Sequence, residues 1–517
     1  MNDMGLKVTM ARVLILICFL INAKIFAQHK VSLSKGKSIA VPLMGYNSDM
    51  SNTPKWSNTE FSQALKELHT STLRYPGGSN SLYWDWKTGW TLSYQELVPI
   101  LQNQNFSFDS NYINDAKQLK ELTLQNRKNN SFWRQLYRYN KKTPKYNTIS
   151  EFSKGLKLTQ SKGVFTLNVI SSNLQKELAM LKAIKQNGIQ PKFVELGNEV
   201  YAENLLTKHI YPTVDNYIDT CLSWSEAIWQ EFPDVHIGVV GGDKNRRTRE
   251  WNKKLSLALQ NKFKDKESQI HFILHYYSYF KHPEYDLNTI MGYRKLVAYP
   301  MLDLDFKLKN WRWNTTQPFT TWVTEFNMIE QKPYTINNTW AHGLLVSSQI
   351  NQLLRRTKAE MFHFHSIGAK SFPVFSALQL MTKDSTYLQP TTSGIVTAMW
   401  NKLTHNAEQL YQINVETKRW NLNYKARSKE NPNNLREEKN ITFTPIHAYI
   451  SYENRKAKLL IVNLSEESIS TNLSSIIGNC EMTQYYGQPT NKIVKVNKQK
   501  LKGMVELKPY SISLLEE

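Results

Sequence analysis

The chain has 517 residues, of which 41% are hydrophobic and 21% are charged. That length exceeds a single ordinary core and fits one large domain of roughly 250 to 400 residues followed by a smaller one. The formal charge of +22 favours an anionic partner, although a basic solvated surface with no binding role would give the same value. Nucleic acid is not expected as a partner, because the sequence has neither zinc-finger spacing nor an RNA-binding aromatic motif.

The first 27 residues have the pattern of a secretory signal peptide. Lys7 and Arg12 precede an apolar run at 13–21, which is too short to span a bilayer. Ala27 is a small residue at the position where cleavage is expected. The sequence therefore predicts a secreted or periplasmic protein without stable membrane insertion, and an uncleaved N-terminal anchor is the alternative.

Eight short β-rich runs follow, each succeeded by helical or loop sequence. They cover residues 39–44, 72–75, 164–170, 193–196, 237–240, 270–276, 320–324 and 360–364. Amphipathic helical patterns separate most of them, most clearly at 61–68, 174–186, 214–231 and 340–356. Strand alternating with helix eight times predicts an α/β fold, a (β/α)8 TIM barrel within residues 28–400. Such a barrel carries its active site at the C-terminal ends of its strands.

Two regions depart from this repeat. Residues 90–147 form an insertion rich in Asn, Lys, Tyr and Gln, which either shapes a substrate site or is a structural elaboration. Residues 401–517 lose the helical period and show alternating strand patterns separated by Asn, Ser and Gly turns. This pattern predicts a C-terminal β-sandwich domain, to which residues 29–38 are expected to contribute the first strand.

Two glutamates follow the fourth and the seventh predicted strands. Glu199 ends the segment Leu-Gly-Asn-Glu at 196–199, and Glu325 lies within Trp-Val-Thr-Glu-Phe-Asn at 322–327. One such carboxylate alone would be explained by a helix cap or a salt bridge. Two of them, each beside an Asn or an aromatic residue at a strand end, fit the pair that cleaves a glycosidic bond.

Four motifs resemble those of glycoside hydrolase clan A, namely LRYPGG at 73–78, ELGNE at 195–199, HYYS at 275–278 and TEFN at 324–327. The resemblance covers the barrel and, more loosely, the C-terminal sandwich. It implies a retaining hydrolase with Glu199 as the acid/base and Glu325 as the nucleophile. It also implies that Asn198 hydrogen-bonds the 2-hydroxyl of the sugar, a bond that tightens in the transition state.

Within that clan, the LRYPGG segment and the aromatic residues after it are most similar to the α-L-arabinofuranosidases of family 51. A weaker similarity points to the heparanase and β-glucuronidase group of family 79. The first similarity suggests arabinofuranoside substrates. The second, together with the basic charge, suggests acidic or sulfated glycans.

Further residues are expected around the two carboxylates. Arg74 would hold Glu325 ionised by charge pairing, with a core salt bridge as its alternative role. His275 and Tyr277 alternate onto one side of the sixth strand, and the resemblance implies that one of them, Tyr277 by preference, contacts the nucleophile. His365, near the end of the eighth strand, is a candidate sugar contact.

Aromatic rings and possible metal ligands complete the candidate site. Trp84 or Trp86, shortly after the second strand, is the best candidate for a ring that stacks on a sugar. His363 and His365 alternate on one strand, but no third metal ligand is evident. No metal site and no cofactor are therefore expected.

The sequence thus predicts a secreted retaining glycoside hydrolase that acts on a polysaccharide or an oligosaccharide, without a cofactor. The alternative is a non-catalytic carbohydrate-binding or polyanion-binding secreted protein built on the same barrel. An assay for new reducing ends separates the two hypotheses.

Overall fold

The computed structural model describes residues 29–30, 32–48, 53–92, 96–97, 147–202, 205–242, 250–280, 285–310, 319–330, 334–368, 376–380, 388–427 and 436–517. The predicted signal peptide lies outside the described residues. So does most of the predicted insertion, of which only residues 90–92, 96–97 and 147 are described. Within the described chain, no helix combines the length and the apolar character needed to cross a membrane.

Eight parallel strands close into a barrel, which confirms the predicted fold class. Each strand pairs with its neighbours in chain order, and the eighth pairs with the first. The strands are β1 (Leu43–Asn47), β2 (Thr72–Tyr75), β3 (Lys162–Thr166), β4 (Phe193–Leu196), β5 (His236–Val240), β6 (Ile270–Phe280), β7 (Thr320–Glu330) and β8 (Ala359–His365).

Helices follow the barrel strands and surround the sheet. They are α1 (Thr59–Glu67), α2 (Ile149–Thr159), α3 (Leu174–Gln186), α4 (Leu205–Ile210), α5 (Val214–Glu231), α6 (Trp251–Lys262), α7 (Ile290–Asn310), α8 (Trp340–Arg356) and α9 (Thr392–Thr404). The first three begin at the N-caps Asn58, Thr148 and Asn173, whose side-chain oxygens accept a hydrogen bond from the third helical N–H group. Helix α8 is buried from residue 340 to residue 354.

Four strand boundaries differ from the sequence prediction. Strand β3 ends at Thr166, four residues before the predicted end at 170. Strand β1 lies later than the predicted run at 39–44, because Gly45 and Asn47 pair with Thr72 and Arg74 of β2. Strands β6 and β7 run on past the predicted ends at 276 and 324, and they stay paired from His275 and Glu325 to Phe280 and Glu330. Glu325 and Asn327, which the pattern placed after the seventh strand, therefore lie within β7 and are buried.

The C-terminal region forms the predicted β-sandwich. Its strands are β9 (Gln409–Glu416), β10 (Trp420–Arg427), β11 (Arg436–Phe443), β12 (Ile446–Glu453), β13 (Lys456–Asn463), β14 (Ile469–Asn472), β15 (Cys480–Tyr486), β16 (Lys495–Leu501), β17 (Met504–Leu507) and β18 (Ser511–Glu516). One sheet has the order Ser32–Ile39, β9, β12, β13, β18, β15, β16, and the other has the order His29–Lys30, β14, β17. The N-terminal segment therefore supplies an edge strand, as predicted, and β10 pairs only with β11 among the described residues.

A buried carboxyl group supports the loop between β3 and α3. Glu177, in the first turn of α3, accepts a hydrogen bond from the backbone N–H of Asn168 at 3.2 Å. The side chain of Asn168 in turn donates to the carbonyl of Trp84 at 3.2 Å. Burial raises the pKa of Glu177 to about 7.

We expect Glu177→Gln to stabilise the protein above pH 7. Because the pKa of Glu177 is higher in the folded chain than in the unfolded chain, its contribution is complete at acid pH and is lost as pH rises through 7. Glutamine resembles the protonated form and keeps an acceptor for the backbone N–H. The expected gain at pH 9 is up to about 3 kcal/mol in the free energy of unfolding, measured by urea denaturation. If the free energies of unfolding of the two proteins changed with pH in parallel, the raised pKa of Glu177 would be contradicted.

Candidate functional site

A fully buried arginine organises the mouth of the barrel. Arg74, on β2, donates from Nε to Glu195 at 2.7 Å, from Nη1 to Glu325 at 2.7 Å and from Nη2 to Asn198 at 2.9 Å. Burial alone would lower the pKa of Arg74, but the carboxylates of Glu195 and Glu325 raise it. The planar guanidinium therefore fixes three acceptors that come from two different strands and the turn after one of them.

Glu325 occupies the centre of this site. One carboxylate oxygen accepts from Arg74, and the other lies 2.6 Å from the hydroxyl of Tyr277 and 3.3 Å from Nδ1 of His365. Its side chain is only 6% exposed. Burial alone would raise the pKa of Glu325, but the neighbouring histidines and Arg74 lower it well below its usual range. Glu325 is thus held ionised.

A bulge in β7 aims this carboxylate. Ile273 of β6 pairs with Trp322, whereas His275 pairs with Glu325, so β7 has one residue more than β6 over this stretch. An extra residue in one strand bends it and redirects the side chains that follow. The register between β7 and β8 also shifts here, between Val323 and Phe326.

Glu199 reaches the same mouth from a sharp turn after β4. Gly197 has φ 94° and Glu199 has φ 43°, both in the left-handed region that non-glycine residues seldom occupy. A Cβ atom on residue 197 would lie 2.7 Å from Val169, so glycine is required there for space as well. The Glu199 side chain is 32% exposed, far more than that of Glu325, and faces the solvent side of the mouth.

His275 links the two carboxylates. Its Nδ1 atom lies 2.9 Å from Glu199 and 3.7 Å from Glu325, and its Nε2 atom lies 3.3 Å from the hydroxyl of Thr324. One side-chain atom from each of these three ionisable residues lies within 4.8 Å of the others. Their ligand types would also suit a divalent metal ion. The hydrogen bonds just described account for their positions without one.

Asn198 lies beside this pair with one end of its amide fixed. Its Oδ1 atom accepts from Arg74, so the hydrogen bond uses the carbonyl end of the amide and not its nitrogen. The structure therefore brings together six of the residues singled out in the sequence, namely Arg74, Asn198, Glu199, His275, Tyr277 and Glu325. His365 joins these six, because its Nδ1 atom lies 3.3 Å from Glu325.

Glu195 is a site residue that the sequence analysis did not single out. It is fully buried and accepts from Arg74 and, at 2.8 Å, from the hydroxyl of Thr166. An inward-facing arginine on a barrel strand needs a buried counter-charge, and Glu195 lies within the ELGNE motif. That requirement is the signal that could have identified Glu195.

A second group of residues, also not anticipated, positions His365. Its Nδ1 atom lies 2.8 Å from the side-chain nitrogen of Asn47, and its carbonyl accepts from Asn327 at 2.5 Å. Asn327 is in turn held by His342 of α8 at 3.0 Å, and burial lowers the pKa of His342 to about 3. His342 is therefore neutral and serves as a hydrogen-bonding partner. These contacts join distant segments and leave no local sequence pattern.

Trp84 cannot serve as a sugar platform, which corrects the sequence-based interpretation. Its side chain belongs to the core at 3% exposure, its indole N–H donates to Tyr75 at 2.7 Å, and its ring packs against Tyr75 and Trp90. The short 3-10 helix Gly78–Tyr83 carries the chain back into the core before this residue. Trp86 is half-buried, donates to the carbonyl of Lys176 at 3.1 Å and remains a predicted sugar contact.

No protein-family model and no curated protein matches this sequence. Solved structures, in contrast, match over almost the whole chain. A GH51 α-L-arabinofuranosidase from Thermotoga petrophila is 13% identical, with a TM-score of 0.61, over 94% of this chain and 99% of that one. A family 51 α-L-arabinofuranosidase from Bifidobacterium longum is 12% identical, with a TM-score of 0.61 and the same coverage.

A 4-O-α-L-rhamnosyl-β-D-glucuronidase from Fusarium oxysporum is also similar. It is 12% identical, with a TM-score of 0.52, over 95% of this chain and 100% of that one. These identities are too low to transfer an activity or a substrate, but the folds correspond from end to end. The chain therefore has the fold of the clan A glycoside hydrolases.

Proposed function

We propose that this protein is a retaining glycoside hydrolase in which Glu325 is the nucleophile and Glu199 is the acid/base. The observation that carries the proposal is the approach of the two carboxylates, whose nearest oxygens lie within 4.8 Å. Retaining enzymes hold their carboxyl groups about 5 to 5.5 Å apart, whereas inverting enzymes need about 6.5 to 9.5 Å to admit a water molecule. The spacing here supports the retaining class.

The first step of the reaction would form a covalent intermediate. Glu325, ionised and oriented by Arg74 and Tyr277, attacks the anomeric carbon as the bond to the leaving group breaks. Glu199 donates its proton to the departing oxygen. The amide nitrogen of Asn198 is free to hydrogen-bond a sugar hydroxyl as positive charge develops on the ring.

The second step would release the sugar. Glu199, now ionised, removes a proton from a water molecule, which attacks the anomeric carbon and restores Glu325. The Nδ1 atom of His275 lies 2.9 Å from the carboxyl group of Glu199, so His275 can hydrogen-bond both the protonated and the ionised form of Glu199. Neutral His275 accepts a hydrogen bond from protonated Glu199, and protonated His275 donates one to ionised Glu199.

The substrate is either an arabinofuranoside or an anionic glycan. The fold similarity to two arabinofuranosidases supports the first. The formal charge of +22 and the fold similarity to a glucuronidase support the second. We further propose that residues 1–27 direct the protein out of the cytoplasm, where a polysaccharide substrate would be met.

A reducing-end assay on purified protein tests the proposed function. The panel contains arabinan, arabinoxylan, aryl glucuronides, and sulfated algal and animal polysaccharides, with Glu325→Ala in parallel. We expect one glycan to be cut by the wild type and left intact by the variant. Binding of a glycan without cleavage anywhere in the panel would favour the alternative, a non-catalytic carbohydrate-binding or polyanion-binding protein.

We expect Tyr277→Phe to lower kcat by about 10- to 100-fold. The change removes only the hydroxyl that lies 2.6 Å from Glu325 and keeps the ring. Because a hydrogen bond to the ionised form lowers the pKa of a carboxyl group, its loss raises the pKa of Glu325. The acid limb of the kcat/KM profile should therefore move to higher pH. An unchanged limb would show that Tyr277 does not govern the ionisation of Glu325.

A further inference from the structure

The strand β16, at the edge of the sandwich, carries a concentration of positive charge that the proposed reaction does not use. No Asp or Glu occurs between Glu481 and Glu506, whereas this stretch contains five lysines. All five are exposed. We call this group the basic edge, and it consists of Lys492, Lys495, Lys498, Lys500 and Lys502.

Most of this charge has no acidic partner. Among the described residues only Lys500 approaches a carboxylate, that of Glu481 at 3.7 Å, and both side chains are highly exposed. Such a pair contributes little and exchanges readily with other anions. The remaining four ammonium groups are available to an external anion.

The strand itself offers further donors. Strand β16 is the last in its sheet and pairs with β15 on one side, with no strand on its other side in the described structure. An edge strand presents backbone N–H groups that no neighbour uses. Lys495 to Lys500 spans about 17 Å at about 3.3 Å per residue, with Lys498 and Lys500 on one face of the strand and Lys495 on the other. The charges are therefore spread along both sides of the edge.

The basic edge begins at the catalytic end of the barrel. The carbonyls of Pro489 and Asn491 accept hydrogen bonds from the first two N–H groups of α8, those of Ala341 at 2.9 Å and Trp340 at 2.6 Å. Helix α8 follows β7, the strand of Glu325, so its N-terminus lies at the C-terminal face of the barrel. A polymer lying along β16 would approach the mouth from this side.

We propose that the basic edge is a docking surface for an anionic polysaccharide, carrying sulfate or carboxylate groups, that leads toward the mouth of the barrel. Exposed ammonium groups spread along one strand edge match a linear chain with repeated negative charges. Lysines on edge strands also protect proteins from sheet-to-sheet aggregation, and this simpler role predicts a different result when the charge is removed. The proposal deepens the proposed function, because it assigns the substrate to the anionic class.

The test measures binding separately from cleavage. Affinities for dextran sulfate, polygalacturonate and neutral dextran are determined at several salt concentrations, with all proteins carrying Glu325→Ala so that no polymer is cut. The variant K492Q/K495Q/K498Q is compared with K157Q/K253Q/K264Q, which removes the same charge from exposed lysines of the barrel. A short DNA duplex serves as a second polyanion, and light scattering reports self-association.

We expect the edge variant to bind at least one of the two charged polymers about tenfold or more weakly, with a shallower salt dependence, while the barrel variant changes less than about threefold. Neutral dextran should not bind. Which polymer responds identifies the anion, and either one supports the proposal. In the Glu325-intact protein, hydrolysis of the polymer should weaken while that of a small aryl glycoside stays unchanged.

Four results would overturn the docking surface. They are no binding of either charged polymer, equal weakening in both variants, tighter binding of DNA than of either polysaccharide, and unchanged affinity of the edge variant. Aggregation of that variant in the last case would assign the lysines the protective role. A protein that binds through these lysines but cuts nothing would refute the proposed hydrolase alone. A protein that cuts a glycan irrespective of these lysines would refute the docking surface alone.

Discussion

Glu325→Ala is expected to lower kcat by about 10⁴-fold or more on whichever glycoside the protein cleaves. The alanine removes the group that forms the covalent bond. Arg74 and Tyr277, which hydrogen-bond this carboxylate, do not replace it as a nucleophile. The matched control is Glu360→Ala, which removes a carboxylate at the opposite end of the barrel, on β8, and should leave kcat nearly unchanged. Normal turnover by the Glu325 variant would remove Glu325 from the reaction.

Azide distinguishes a missing nucleophile from a damaged fold. In Glu325→Ala the small anion can occupy the space of the lost carboxylate, beside the Arg74 guanidinium, and attack an activated glycoside. The product should be a glycosyl azide with inverted anomeric configuration, because one displacement replaces two. A variant that is folded by circular dichroism yet is not rescued by azide would weaken this assignment of the nucleophile.

Glu199→Ala is expected to show a loss that depends on the leaving group. Glycosides whose leaving groups need protonation should lose about 10²- to 10⁴-fold in kcat/KM, the range typical of a lost general acid. Dinitrophenolate is a leaving group that departs without a proton, so kcat/KM for dinitrophenyl glycosides should fall little. The two substrate classes are compared in the same variant by stopped-flow absorbance.

Glu199→Ala also tests the role of Glu199 as the base in the second step, independently of its role as the acid in the first. Without Glu199 the glycosyl-enzyme has no group to activate water, so it should accumulate and appear as a burst of aryl product. Azide needs no base and should speed turnover, giving a glycosyl azide of retained configuration. An equal loss for all leaving groups, with no burst and no azide effect, would assign Glu199 a structural role.

The alternation of strand and helix was sufficient to predict the barrel, because each strand is a short apolar run between amphipathic segments. It was not sufficient to place the ends of β6 and β7. Glu325 and Asn327 interrupt the apolar pattern, so the predicted seventh strand ends at residue 324, yet both residues lie within β7 and are buried. The bulge that aims Glu325 adds one residue to β7 and leaves no local signature.

The candidate site was predicted in part, because several of its residues fall within short motifs at strand ends. Trp84 was misplaced because a tryptophan after a strand looks the same in sequence whether it faces solvent or the core. Glu195 and Asn47 were missed because their roles depend on Arg74 and His365, which lie far away in the chain. Contacts of this kind are set by the closure of the barrel, and no periodicity reveals them.

Trapping the glycosyl-enzyme tests the central claim most directly. The protein is incubated with an activated 2-deoxy-2-fluoro analogue of the sugar that the substrate panel identifies, and the labelled peptide is located by mass spectrometry. The fluorine slows both steps by destabilising the positively charged transition state, while the activated leaving group still allows the intermediate to form. We predict one sugar per chain, attached to Glu325. A sugar attached to Glu199, or cleavage of the natural glycan with inversion and no labelled peptide, would contradict the account.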